Sequence, residues 1–107
     1  MHLDGIEIQT DFDLTAAMLQ LFKRKTKELG LSEEANIQFK KFIDKDKELI
    51  KEGGKPQIVL AARMYAISLI ILEPRYQEEV SRAFDVSEGG LRNFFHRMYQ
   101  KSRGKKT

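Results

Sequence analysis

The sequence predicts an all-α fold: a single five-helix domain whose last two helices form a helix-turn-helix. Three observations carry this expectation. Apolar residues recur at three- and four-residue steps along most of the chain, the spacing of a helix face. Both prolines and most of the seven glycines fall at the borders between such stretches. The 107 residues, 41% of them hydrophobic, suffice for one core at the usual domain size of roughly 100–150 residues. The organisation read from this pattern is an N-terminal arm over 1–12, the helical domain over 13–102 and a basic C-terminal tail over 103–107.

The leader, Met1 to Thr10, alternates weakly at Leu3, Ile6 and Ile8 and fits either a loose arm or a short strand. Asp11 or Asp13 is placed to cap a first helix over 13–29, since a side-chain oxygen there accepts from the free N–H groups of the first turn. Leu14, Ala17, Met18, Leu21 and Phe22 form its inward stripe, and Gly30 stands where helices end. Ser32 is expected to open a second helix, with Glu33 and Glu34 at the positive end of its dipole. That helix carries Ala35, Phe39, Phe42, Ile43, Leu49 and Ile50 inward and stops at Gly53-Gly54. Its lysines alternate with Asp44, Asp46 and Glu48 on what reads as an ordinary solvated face.

Pro56 suits the first turn of a third helix over 56–72. Ile58 through Leu72 leave that helix almost no polar side, so it is expected at the centre of the domain. Pro74 breaks it. A short fourth helix over 75–84 turns Val80, Ala83 and Phe84 inward. The joint Asp85-Val86-Ser87 leads to a fifth helix over 87–102, with Leu91, Phe94, Phe95, Met98 and Tyr99 inward. A short helix, a tight joint and a longer basic helix follow in the order of a helix-turn-helix.

Composition excludes several chemistries. The sequence has no Cys and only His2 and His96, at opposite ends, which removes thiolate nucleophiles, zinc ribbons and iron–sulfur sites. No Ser/His/Asp set, phosphate loop or dinucleotide fingerprint occurs; Gly53-Gly54-Lys55 lacks the preceding strand such a loop needs. The expectation is a non-enzyme without cofactor or metal. The longest apolar run, Gln57 to Leu72, contains Arg63 and falls short of the roughly 20 residues that span a bilayer. No signal-peptide pattern opens the chain. The site of action is therefore read as cytoplasmic for an archaeal or viral protein, nuclear for a eukaryotic one, with no membrane partner.

Charge is distributed unevenly. Residues 1–54 hold nine Lys/Arg against eleven Asp/Glu, whereas residues 55–107 hold ten against five, within a total of +3. After Glu88 come Arg92, Arg97, Lys101, Arg103, Lys105 and Lys106 with no acidic residue between them. A one-signed stretch of this kind suits a polyanion. Arg92, His96 and Gln100 share one side of the fifth helix, and Asn93, Arg97 and Lys101 form the adjacent row. Arg and Asn make paired hydrogen bonds to guanine and adenine edges, while Lys101 and Arg103 suit phosphates. Ser87 is a helix cap, and Gly89 and Gly90 in the first turn leave the backbone N–H groups open to a phosphate or base edge, or else simply let the joint turn.

Four runs carry a more specific signal. Gly53-Gly54-Lys55-Pro56 through Tyr65 resembles the opening of the central helix in a cyclin-like repeat of archaeal transcription factor B and eukaryotic transcription factor IIB, typically Gly-Arg-Ser-Pro, an alanine-rich stretch, then Tyr. Arg75-Tyr76-Gln77-Glu78-Glu79-Val80 resembles that family's Arg-Thr-Gln-x-Glu-Ile, and Val86 through Asn93 its Val-Thr-Glu-Val-Thr-Ile-Arg-Asn, with no gap in the spacing. Leu29-Gly30-Leu31-Ser32-Glu33-Glu34 is similar to its Leu-Gly-Leu-Pro-Glu-Glu. The likeness spans roughly 13–100.

The resemblance implies a cyclin-like fold and a basal transcription module acting on double-stranded promoter DNA with TATA-binding protein, and with RNA polymerase through other chains. By that analogy Arg92 is the main base-contacting side chain, with Asn93 and Gly89 beside it. Lys55, Arg75, Gln77, Ser87 and Gly90 fall at positions near phosphates, joined by Arg97, Lys101 and Arg103. The sequence departs from the family in ways that matter. Gly89 and Gly90 lack two side chains the family uses, Tyr76 replaces a small Thr, and Arg63 stands where Ala is usual. A buried Arg must reach a carboxylate or solvent. The chain holds one repeat and no zinc ribbon, so it is expected to be a fragment of a two-repeat factor or a stand-alone relative. The alternative reading is a cyclin-fold adaptor or transcription regulator without sequence-specific DNA binding, its basic face meeting an acidic protein.

Overall fold

The computed structural model describes residues 1–103, with side chains described through Tyr99. Two short strands, β1 (His2–Leu3) and β2 (Ile6–Glu7), precede five helices: α1 (Asp11–Glu28), α2 (Glu34–Lys51), α3 (Pro56–Ile70), α4 (Gln77–Ala83) and α5 (Glu88–Arg103). The all-α expectation holds, with the leader as its one addition. Asp4 and Gly5 both take positive φ, 52° and 80°, as a two-residue hairpin turn requires, and His2 and Leu3 pair antiparallel with Glu7 and Ile6. Leu3 is fully buried, and Asp4 bonds to Arg24 and Gln20 of α1, so this segment is a hairpin fastened to the first helix.

α1 starts two residues earlier than expected because Thr10, rather than either aspartate, caps it. The Asp13 amide donates to Thr10 Oγ1 at 3.1 Å, and Asp13 Oδ2 accepts from the Thr10 amide at 3.1 Å. Such a reciprocal box satisfies two donors at once. Ser32 does not cap α2. Its amide and hydroxyl donate to the Glu73 carboxylate at 2.8 and 2.6 Å, tying the α1–α2 turn to the α3–α4 loop.

α3 runs through the middle, packed against α2 on one side and α5 on the other, and α1 closes on α2. Val59 to Met64, Ala66 and Ile67 are buried, as an all-apolar helix demands. Phe22 of α1 and Phe39 of α2 stack with centroids 4.1 Å apart. The last turn of α3 departs from the expected burial: Leu69 and Ile70 are about half exposed and Leu72 is 85% exposed. The helix ends at Ile70, and Leu72 turns out of it with φ of 62°.

The core also holds one ion pair. Arg63 reaches a carboxylate, as it must, but the carboxylate is Asp46, which the sequence places on a solvated face. Asp46 is completely buried and Arg63 is 5% exposed. Arg63 Nε donates to Asp46 Oδ2 at 2.9 Å and Nη2 to Oδ1 at 2.8 Å, while the guanidinium lies 4.2 Å from the centre of the Phe42 ring. Burial pushes the Asp46 carboxyl above its ordinary range, against the pull of Arg63. No buried side-chain polar atom among the described residues is left without a partner. None of the helices there is long and apolar enough to cross a membrane.

Candidate nucleic-acid interface

Two helices and a three-residue joint build the basic face. α4 opens where the Tyr76 amide donates to Glu79 Oε1 at 3.0 Å and is anchored by buried Val80 and Ser81. Phe84 caps its C-terminal end, and Asp85 follows with φ of 55°. Aspartate tolerates this left-handed geometry better than most side chains, and it turns the chain toward α5. The Val86 amide returns to the Ser81 carbonyl at 3.0 Å, which fixes the angle between the helices. Leu91 and Phe94 anchor α5 in the core, and Phe95 meets Tyr65 of α3 edge to face at 4.9 Å.

The anchoring turns the opposite side of α5 outward. Arg92, Asn93, His96 and Arg97 are all exposed. The Arg92 side chain keeps 46% of its surface open. It donates from Nη2 to Glu88 Oε2 at 2.8 Å and from Nε to Gln77 Oε1 at 3.2 Å. The Asn93 side chain has no hydrogen-bond partner among the described residues. The Arg97 guanidinium lies 5.4 Å from the centre of the Phe94 ring. The side chains of Lys101 and Arg103, and the tail beyond, lie outside the described residues.

The two glycines at the start of α5 differ in role. A Cβ on Gly89 meets nothing within 4 Å, whereas one on Gly90 comes 2.8 Å from Ser87 Oγ. That hydroxyl accepts the Gly90 N–H at 2.9 Å, so the amide expected to face a phosphate is already capped. Gly89→Ala is therefore expected to stabilise the domain by about 0.5–1 kcal/mol, the helix preference of Ala over Gly. Gly90→Ala displaces the Ser87 cap, at a cost of about 1 kcal/mol that cancels the gain. Parallel thermal melts read the contrast, and equal shifts for the two variants contradict it.

Arg75, expected on a phosphate, commits most of its donors within the fold. Its Nε donates to the Leu29 carbonyl at 2.8 Å, Nη2 to Gly30 at 3.1 Å, and Nη1 to Glu73 and Pro74, each at 3.1 Å. All three nitrogens are engaged by backbone carbonyls, so the guanidinium closes the end of α1 onto the α3–α4 loop. Gln77 lies beside Arg92 and serves it as an acceptor. Lys55 is exposed in a cleft that also brings together Arg24 and Lys25 of α1 and Ser87 of the joint. Sequence reading missed Arg24 and Lys25 as members of this face, because they sit in the acidic half of the chain. Only folding carries them beside the joint. Both are already paired there, Arg24 with Asp4 and Glu28 and Lys25 with Glu28.

Comparison with known proteins gives this face its context. The chain is 37% identical over 82 residues, 76% of its length, to Transcription initiation factor IIB 2 of Haloferax volcanii. It is 33% identical over 78 residues, 72% of its length, to Transcription initiation factor IIB 6 of Halobacterium salinarum. The matches cover 25% and 24% of those proteins, so the chain spans about a quarter of the length of the curated relatives it matches. The archaeal expectation fits both organisms. No protein-family model matches the chain, and no solved structure matches it significantly. The motifs, the five-helix architecture and these two relatives agree on a transcription factor B/IIB-like domain.

Proposed function

We propose that this domain binds double-stranded promoter DNA as a transcription initiation module acting with TATA-binding protein, and reaches RNA polymerase through other chains. The observation that carries the reading is the outward row Arg92, Asn93 and Arg97 on α5, presented by a helix-turn-helix in a chain similar to two initiation factors. Arg92 and Asn93 suit base edges in a major groove, with Gly89 leaving room for close approach. Lys55, Arg97, Lys101 and Arg103 suit the flanking phosphates, and the Ser87 hydroxyl keeps its own proton to donate to one. Arg75 gives four of its five donors to backbone carbonyls, so on a phosphate it offers one N–H and its charge.

A gel-shift titration over salt with duplex DNA, alone and with TATA-binding protein, tests this reading. The expected result is a shift that weakens steeply as salt rises. Absence of any shift at about 50 mM salt under both conditions refutes it. A protein-docking role is the second reading. The observation favouring it is the exposed Leu69, Leu72 and Tyr76 beside α4, apolar surface of the kind that marks interaction sites.

A further inference from the structure

Resting on the DNA-binding reading, we infer that Glu88 and Gln77 act as a holder for the Arg92 guanidinium, making it a reader of bases rather than a clamp on phosphates. The pair Glu88–Arg92 alone would be an ordinary one-turn contact on a helix surface. What distinguishes it is the second acceptor: Gln77 belongs to α4, fifteen residues away, and receives Nε while Glu88 receives Nη2. Nε–H and the adjacent Nη2–H form one edge of the planar guanidinium. Two oxygens from two helices therefore occupy that edge. The end-on edge, formed by Nη1 and the second Nη2 hydrogen, keeps its donors for an incoming pair of acceptors such as guanine O6 and N7.

Two consequences follow from the chemistry. A guanidinium fixed in place before contact loses less rotamer freedom when a base pair engages it. The Glu88 carboxylate, 44% exposed beside it, also repels phosphate oxygens that would otherwise attract Arg92 on any sequence. Repulsion of the wrong partner is as effective for specificity as attraction of the right one. Glu88 and Gln77 are thus positioning residues, acting through Arg92.

The test uses a preferred duplex recovered by in vitro selection from a random pool, and a random duplex, each measured over a salt series. Glu88→Gln keeps an acceptor oxygen but removes the charge. It is expected to raise affinity for the random duplex by about threefold to tenfold and to lower the preferred-to-random ratio correspondingly. The random-duplex salt dependence should steepen by about one phosphate contact as Arg92 turns to the backbone. Gln77→Ala is expected to weaken the preferred duplex by about threefold without any gain on the random one. Thermal melts confirm that both variants fold. An unchanged ratio and salt slope in Glu88→Gln overturns the holder while leaving DNA binding intact. An unaltered chain that binds no duplex, or selects none, overturns the DNA-binding reading itself.

Discussion

Asp46→Ala is expected to destabilise this domain by about 3–5 kcal/mol, the loss seen when one member of a buried ion pair is removed. The variant leaves the Arg63 guanidinium 5% exposed between α2 and α3 with no carboxylate to receive its donors. The ring of Phe42 remains beside it, but a cation over an aromatic face recovers only about 0.5–2 kcal/mol. For a domain of this size the loss is a large share of the total, since folded chains exceed unfolded ones by only about 5–15 kcal/mol. Urea denaturation reads the difference directly. The double variant Asp46→Leu/Arg63→Met is expected to recover most of it, because apolar replacement of both partners removes the unpaired charge. A single-variant loss below about 1 kcal/mol contradicts the account, as does a double variant no better than the single.

Arg92→Ala is expected to weaken binding to a preferred duplex by about tenfold to a hundredfold while changing binding to random sequence far less. Loss of one bidentate base contact removes about 1–3 kcal/mol of discrimination. Lys101→Ala is expected to weaken both duplexes alike and to reduce the salt slope by about one, the signature of a phosphate contact. Quantitative binding to the two duplexes over a salt series separates the roles. Equal losses on every sequence from Arg92→Ala remove the base-reading assignment, though the domain could still bind DNA through its basic tail.

Helix count, order and the helix-turn-helix were legible because each rests on local spacing. Leu91 and Phe94 repeat at three residues, and Pro56 stands at a helix start, whatever else the chain does. Boundaries were less legible. Thr10 caps α1 in place of Asp11 or Asp13 through a reciprocal bond that the local sequence alone does not single out. Ser32 lost its expected role because Glu73, forty-one residues later, folds beside it. The basic face was legible as a row of charges on α5, and Arg92 does point outward. Arg75 read as a phosphate ligand by its motif position. The carbonyls that engage it come from the end of α1, a neighbour only in three dimensions.

By itself the sequence determined the all-α class, the central position of α3, the one-signed C-terminal half and the family motifs, because composition and periodicity are properties of the chain. Tertiary structure alone decided which charges are held inside the fold and which stay at the surface. Asp46 and Asp44 lie on one helix two residues apart, yet the first is sealed against Arg63 and the second stands in solvent. Arg75 and Arg92 both stand in the family-like motifs, yet one closes a loop and the other faces outward. The physical reason is that a charged side chain's partner is set by proximity after folding, and proximity across 15 to 46 residues of chain is written in the packing of helices rather than in any local pattern.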